Sequence, residues 1–127
     1  MNINKYADFF VILLLIFIID LIYILIFVKN YYIYMINDIN NNSIININFI
    51  SYILIYFLLA SGLYYFIIKD NKTEYDAFIL GIIIYGVYDM TNYTILNKYK
   101  LSYAIIDSLW GGILFFSTIF IRNYLIK

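Results

Sequence analysis

The sequence predicts an all-α polytopic membrane protein, a bundle of four transmembrane helices. Only 13% of its 127 residues are charged while 65% are hydrophobic, where a soluble domain carries roughly a quarter charged. The apolar residues also fall into four long runs that fill nearly the whole chain. At about 1.5 Å per residue, each run crosses a hydrocarbon core of about 30 Å.

The first run, residues 9–28, is interrupted only by Asp20 and Tyr23. It is too long for the apolar part of a secretory signal, and no small-x-small cleavage pattern follows it. Residues 49–68 make the second run, after a connector whose Asn40, Asn41, Asn42, Asn46 and Asn48 do not belong in hydrocarbon. Residues 77–95 and 101–121 make the third and fourth. The connectors are then 29–48, 69–76 and 96–100, and the last is so short that spans three and four must form an antiparallel hairpin. No linker rich in Pro, Gly or Ser divides the chain, so a single integral membrane domain over residues 1–127 is expected. The abundant Ile, Tyr and Phe favour strands. The runs nevertheless lack period-2 alternation, and each is about twice the 9 to 11 residues of a barrel strand.

Composition narrows the chemistry. The chain has no Cys and no His, which excludes disulfides, thiolate or imidazole metal sites and His-dependent nucleophiles. No catalytic residue, cofactor or metal is assigned. A formal charge of zero without a basic run gives no footprint for nucleic acid. The expected partner is the lipid bilayer. Lys5, Lys69, Lys72, Arg122 and Lys127 fall on one side, against Lys29, Lys98 and Lys100 on the other. The bias places both termini in the cytoplasm. Tyr31, Tyr32 and Tyr34, with Tyr99 and Tyr103, read as interfacial aromatics.

The informative residues are three acids inside the spans: Asp20, Asp89 and Asp107. A carboxylate in mid-bilayer costs about 2.5 to 3.5 kcal/mol, and such groups usually face the bundle interior. Asp89 and Asp107 each lie nine positions from Lys98, and Asp20 lies nine before Lys29. A hairpin turning at Lys98 sets its two acids about 13 Å below the turn, and Asp20 joins them at that level. No Lys or Arg shares that depth, so at least one acid is expected to hold a proton. The layer has two readings: hydrogen-bonded glue between helices, or a polar cavity or ion path.

Neighbouring residues fit a polar site. Tyr85, Asp89 and Asn92 share one face of span three, with Tyr88 beside them, and Tyr103, Asp107, Trp110 and Gly111 share one face of span four. Gly62, Gly81, Gly86, Gly111 and Gly112, with Ala60 and Ser61, are the small residues expected at close helix contacts. Tyr56, one turn before Ala60, reads equally well as a structural hydrogen bonder.

Tyr85-Gly86-Val87-Tyr88-Asp89-Met90-Thr91-Asn92, followed by Asp107-Ser108-Leu109-Trp110-Gly111, resembles the paired YGxYDxTN and DxxWG signatures of the predicted membrane proteins grouped as domain of unknown function 2177 (DUF2177). The resemblance extends to Asp20, to the stretch from Lys29 to Tyr32, and to Tyr56 and Gly62. It departs where family members often carry a Trp-Pro pair in the last hairpin, here Lys98-Tyr99-Lys100, and where their basic cluster after span one is thinned to Lys29. The resemblance implies a compact multi-span membrane protein and supplies no reaction.

Three functions follow in order of preference. The first is a small transport or permeation protein whose acid layer takes a proton, a cation or a small polar solute, with a homodimer as one way to enclose a path. The second is a structural or assembly subunit. The third is an intramembrane enzyme with paired carboxylates. The enzyme is the weakest of them, because the G-x-G-D half of an aspartyl protease signature and any Pro-Ala-Leu are missing.

Overall fold

A computed structural model describes residues 3–43 and 46–126. These residues form helices and connectors without a strand. The first helix runs as α1 (Lys5–Tyr23), a π-helical turn (Ile24–Val28) and α2 (Lys29–Ile39). The second is α3 (Phe49–Leu63), continued by another π-helical turn (Tyr64–Ile68). They are followed by α4 (Glu74–Ile95) and α5 (Leu101–Ile126). Four helices, Lys5–Ile39, Phe49–Ile68, Glu74–Ile95 and Leu101–Ile126, are long and apolar enough to cross a membrane.

Each boundary has a local cause. Asn4 opens α1 by accepting from the Tyr6 N–H at 2.8 Å, and Asn48 opens α3 by accepting from Ser51 at 3.1 Å. Thr73 and Asp76 form a reciprocal capping box at the start of α4. Asn41 and Asn42 end the first helix with φ of 53° and 58°. Asn tolerates this left-handed region better than other side-chain-bearing residues do.

The first connector differs from expectation. Residues 29–39 are helical, because no Pro or Gly interrupts them and α2 has packing of its own. Met35 is buried with Tyr99 and Tyr103, Tyr31 Oη lies 2.7 Å from Ser102 Oγ, and Lys98 Nζ donates to the Asp38 carbonyl at 3.0 Å. The first helix therefore continues past the expected end of its span and covers the α4–α5 turn. Likewise α4 begins before residue 77 and α5 continues beyond residue 121.

The burial pattern follows helical spacing. Along α1 the buried residues are Asp8, Ile12, Ile16, Asp20 and Tyr23, a stripe at intervals of four and three. Its Ile12 and Ile16 pack with Tyr56, Leu59, Ala60 and Leu63 of α3 and Leu114, Phe115 and Ile119 of α5, while Tyr23 joins Met35, Tyr99 and Tyr103. α1 thus lies between α3 and α5, while α4 packs principally on α5. In the α4–α5 hairpin the backbones nearly touch. A Cβ on Gly81 would overlap the Gly111 carbonyl, and one on Gly111 would overlap Tyr85. Gly112 would meet Ile82 Cγ1 at 2.7 Å. By contrast, Gly86 and Gly62 have room, with nearest atoms at 3.7 and 3.8 Å.

The start of α1 and the last turns of α5 meet at one end of the bundle. The Arg122 guanidinium grips the Asp8 carboxylate with two nitrogens, Nε at 2.9 Å and Nη2 on the other oxygen. Asn123 donates to Glu74 at 3.2 Å, tying α5 to the start of α4. Met1 and Lys127 lie outside the described residues.

Candidate functional site

The three intramembrane acids are all buried, and each is held differently. Asp20, on α1, accepts from Tyr56 of α3 at 2.6 Å and from the Trp110 indole of α5 at 2.9 Å. Both its oxygens are satisfied, and the bonds join three helices. Asp89, on α4, has no solvent exposure. Its Oδ1 accepts from Tyr99 at 2.6 Å, while Oδ2 has no hydrogen-bond partner among the described residues. Asp107, on α5, neighbours Asp89 within carboxyl-to-carboxyl reach and receives only a long contact of 3.4 Å from Tyr103.

Helical spacing explains the grouping. Tyr103 and Asp107 are one turn apart on α5, and Trp110 lies a further turn along the same face. The Trp110 ring stacks on Tyr23 of α1, with centroids 4.1 Å apart and planes 9° apart. Tyr23 and Tyr85 lie within electrostatic range of all three carboxyls.

A cavity of about 440 Å³ opens beside this group. Asp20 and Asp107 are the charged residues of its wall, and tyrosines supply most of its remaining polar atoms. Tyr85 is half-buried in the wall from α4, and Tyr88 stands at the rim, 54% exposed. Ile55 and Leu58, on the α3 side of the rim, are 52% and 60% exposed. The mouth therefore faces sideways between α3 and α4, toward lipid in a membrane-embedded chain. These helices approach each other at Gly62 and Ile84. The first π-helical turn also borders the cavity, through Ile24 and Val28.

The donors are not all the ones that spacing suggests. Trp110 does serve an acid, but Asn92 and Tyr88 do not hydrogen-bond Asp89. Asn92 is half-buried near Tyr99, and the Tyr88 hydroxyl is near that of Tyr32. Asp89 is instead served by Tyr99, read from sequence as an interfacial aromatic. Burial, and then its hydrogen bond to Asp89, push the Tyr99 phenol above its ordinary value, so it stays a donor. The available signal was distance along the chain, because Tyr99 follows Asp89 by ten residues across a tight turn. The Asp8–Arg122 pair had no comparable signal, since its partners stand 114 residues apart.

No group of three or more acidic side chains able to hold a metal occurs among the described residues. Chemically, the arrangement offers one doubly bonded acid that fastens helices and one acid pair with an unfilled acceptor. No curated protein matches the chain. No solved structure matches it either. The profile of a predicted membrane protein family, DUF2177, matches residues 6–121, which include the three acids and both motifs. The chain is therefore an integral membrane protein and belongs to the DUF2177 family.

Proposed function

We propose that the chain is a small permeation or transport protein in which Asp89 and Asp107 hold a proton or a cation beside the cavity. One observation carries this reading. Asp89 Oδ2 is buried without a partner against a second carboxyl, and two carboxylates in contact repel one another unless a proton or cation stands between them. A group bound there would satisfy the unfilled acceptor, and its release would restore the repulsion. That alternation is what a carrier needs. The cavity is lined by one chain, so the reading does not call on a homodimer. It takes residues 1–127 as one membrane unit with cytoplasmic termini.

Asp20 favours a second role within the same protein. With Tyr56 and Trp110 filling both oxygens, it acts as a fastener between α1, α3 and α5. This is the assembly reading applied to one acid.

The test uses Asp89→Asn and Asp107→Asn. Asn keeps the size and much of the hydrogen bonding but cannot ionise. Both variants should accumulate in membranes as folded protein, while proton- or cation-dependent flux in reconstituted vesicles falls about tenfold or more. If they fold and every measured flux is unchanged, all three acids belong to assembly and transport is excluded.

A further inference from the structure

We propose that the cavity binds an organic ammonium ion, a positively charged nitrogen carrying apolar substituents, admitted sideways from the bilayer. The inference rests on the reading of Asp107 as a binding acid and adds the substrate class. Seven tyrosines and two aspartates line the cavity, and neither Lys nor Arg does. An anion would find no positive charge there. An uncharged apolar molecule would leave the carboxyl beneath it unsatisfied. A small metal ion prefers a shell of six or more oxygens, and the residues present do not gather one.

An alkylated ammonium fits both parts of the wall. Its charge faces Asp107, whose one tyrosine contact is the long 3.4 Å one from Tyr103, and the neighbouring Asp89 carboxyl lies behind it with Oδ2 served by no donor. Its alkyl groups face aromatic rings, whose negative faces attract a desolvated cation. Those rings are held in place by their neighbours. Tyr32 packs on Tyr103 at 5.1 Å between centroids, and Tyr23 is stacked under Trp110. The volume, about 440 Å³, is in the range of small-molecule pockets, about 300–1,000 Å³. The exposed rim at Ile55, Leu58 and Tyr88 gives an alkyl tail a path into lipid while the head stays inside.

Trp110 is the one tryptophan of the chain, and its ring lies on Tyr23 of the cavity wall, so its fluorescence reports binding. The full chain in maltoside micelles is titrated with choline, a water-borne source, and with dodecyltrimethylammonium, a membrane-borne source. The uncharged counterparts are 3,3-dimethylbutanol and dodecanol. A saturable change in Trp110 emission is expected with an ammonium, about tenfold tighter than with its uncharged counterpart. Tighter binding of the long-chain ammonium identifies the bilayer as the source, and tighter binding of choline identifies water and overturns sideways access. Asp107→Asn should weaken ammonium binding about tenfold. Tyr88→Leu, at the exposed rim where folding tolerates change, should weaken it about threefold, and Tyr88→Phe should restore it.

Equal binding of charged and uncharged probes, or no saturable response to either ammonium, overturns the proposal. So does wild-type binding by Tyr88→Leu. Loss of flux in Asp89→Asn without any ammonium binding would leave the carboxyl pair as a proton or inorganic cation site and remove only the organic substrate. Ammonium binding with unaltered flux in both Asn variants would retain the binding site and remove transport.

Discussion

Tyr99, in the turn between α4 and α5, reaches back to Asp89 and donates a hydrogen bond of 2.6 Å to its carboxyl group. The contact couples the hairpin turn to an acid with no exposure, so the turn cannot shift without uncovering a buried charge or dipole. Asp89 depends on this bond, since Tyr99 serves Oδ1 and Oδ2 has no donor among the described residues.

Tyr99→Phe should therefore fold but lose about 1–3 kcal/mol, the cost of stranding a buried acceptor. Denaturation in micelles measures it. In an Asp89→Asn background the same change should cost less, because the amide can turn a donor toward the site. Additive losses in the double variant would mean that the hydrogen bond does not hold the hairpin.

The hairpin contact gives a contrast between two glycines on one helix. Gly81→Ala forces a methyl into the Gly111 carbonyl and should destabilise by about 1–3 kcal/mol, the usual cost of overpacking. Gly86→Ala meets nothing nearer than Ser108 Oγ at 3.7 Å. It should be neutral, or stabilising by up to about 1 kcal/mol through helix propensity. Thermal unfolding of the two variants side by side decides between close packing and a general need for glycine on α4.

Asp8 and Arg122 are largely withdrawn from solvent, with side-chain exposures of 7% and 19%. Removing one partner, as in Arg122→Met, should cost about 3–5 kcal/mol because the other charge is left buried and alone. Replacing both, Asp8→Leu with Arg122→Met, should recover most of that loss. A double-mutant cycle measures the coupling, and a double variant as unstable as the sum of the single ones would rule the ion pair out as a clamp between the chain ends.

Single cysteines in this Cys-free chain test topology. Positions 42 and 98 should label with an impermeant reagent from one side of the membrane, and positions 71 and 126 from the other. The lysine and arginine bias predicts that 71 and 126 face the cytoplasm. Labelling of 71 and 126 from opposite sides would refute four spans.

The helices were legible because lipid imposes a simple rule on sequence: a spanning segment must be long and apolar and must satisfy its own backbone. The continuation of the first helix to Ile39 was less legible. Lys29, Asn30 and Asn37 look like a polar connector, and the contacts that the distant α4–α5 turn makes with Met35, Tyr31 and Asp38 leave no short-range mark in it. The acids were legible as a group through their cost in hydrocarbon. Their hydrogen-bond donors were not, because 16 tyrosines offer many partners of equal chemical merit. Which one serves Asp20 depends on how α1 meets α3, and that packing leaves no short-range mark in the sequence.

The two π-helical turns have a consequence for how such a chain can change. Each holds one residue more than an ordinary turn, and beyond it side chains are rotated by about 100° from their course in an uninterrupted helix. In the first helix the step separates Tyr23 from Val28, both buried and both on the cavity wall, and it leads α2 to bring Met35 against the hairpin turn. Deleting one residue from 24–28 would let the step relax into an ordinary α-helical turn with α2 near its present course, while adding one residue there would rotate α2 by about a further 100°. Lipid-facing Ile, Leu and Phe in this segment can exchange for one another, because the bilayer asks only for apolar bulk. Their number has one residue of slack, so the step can take up a deletion that an uninterrupted helix would pass on as a rotation of everything beyond it.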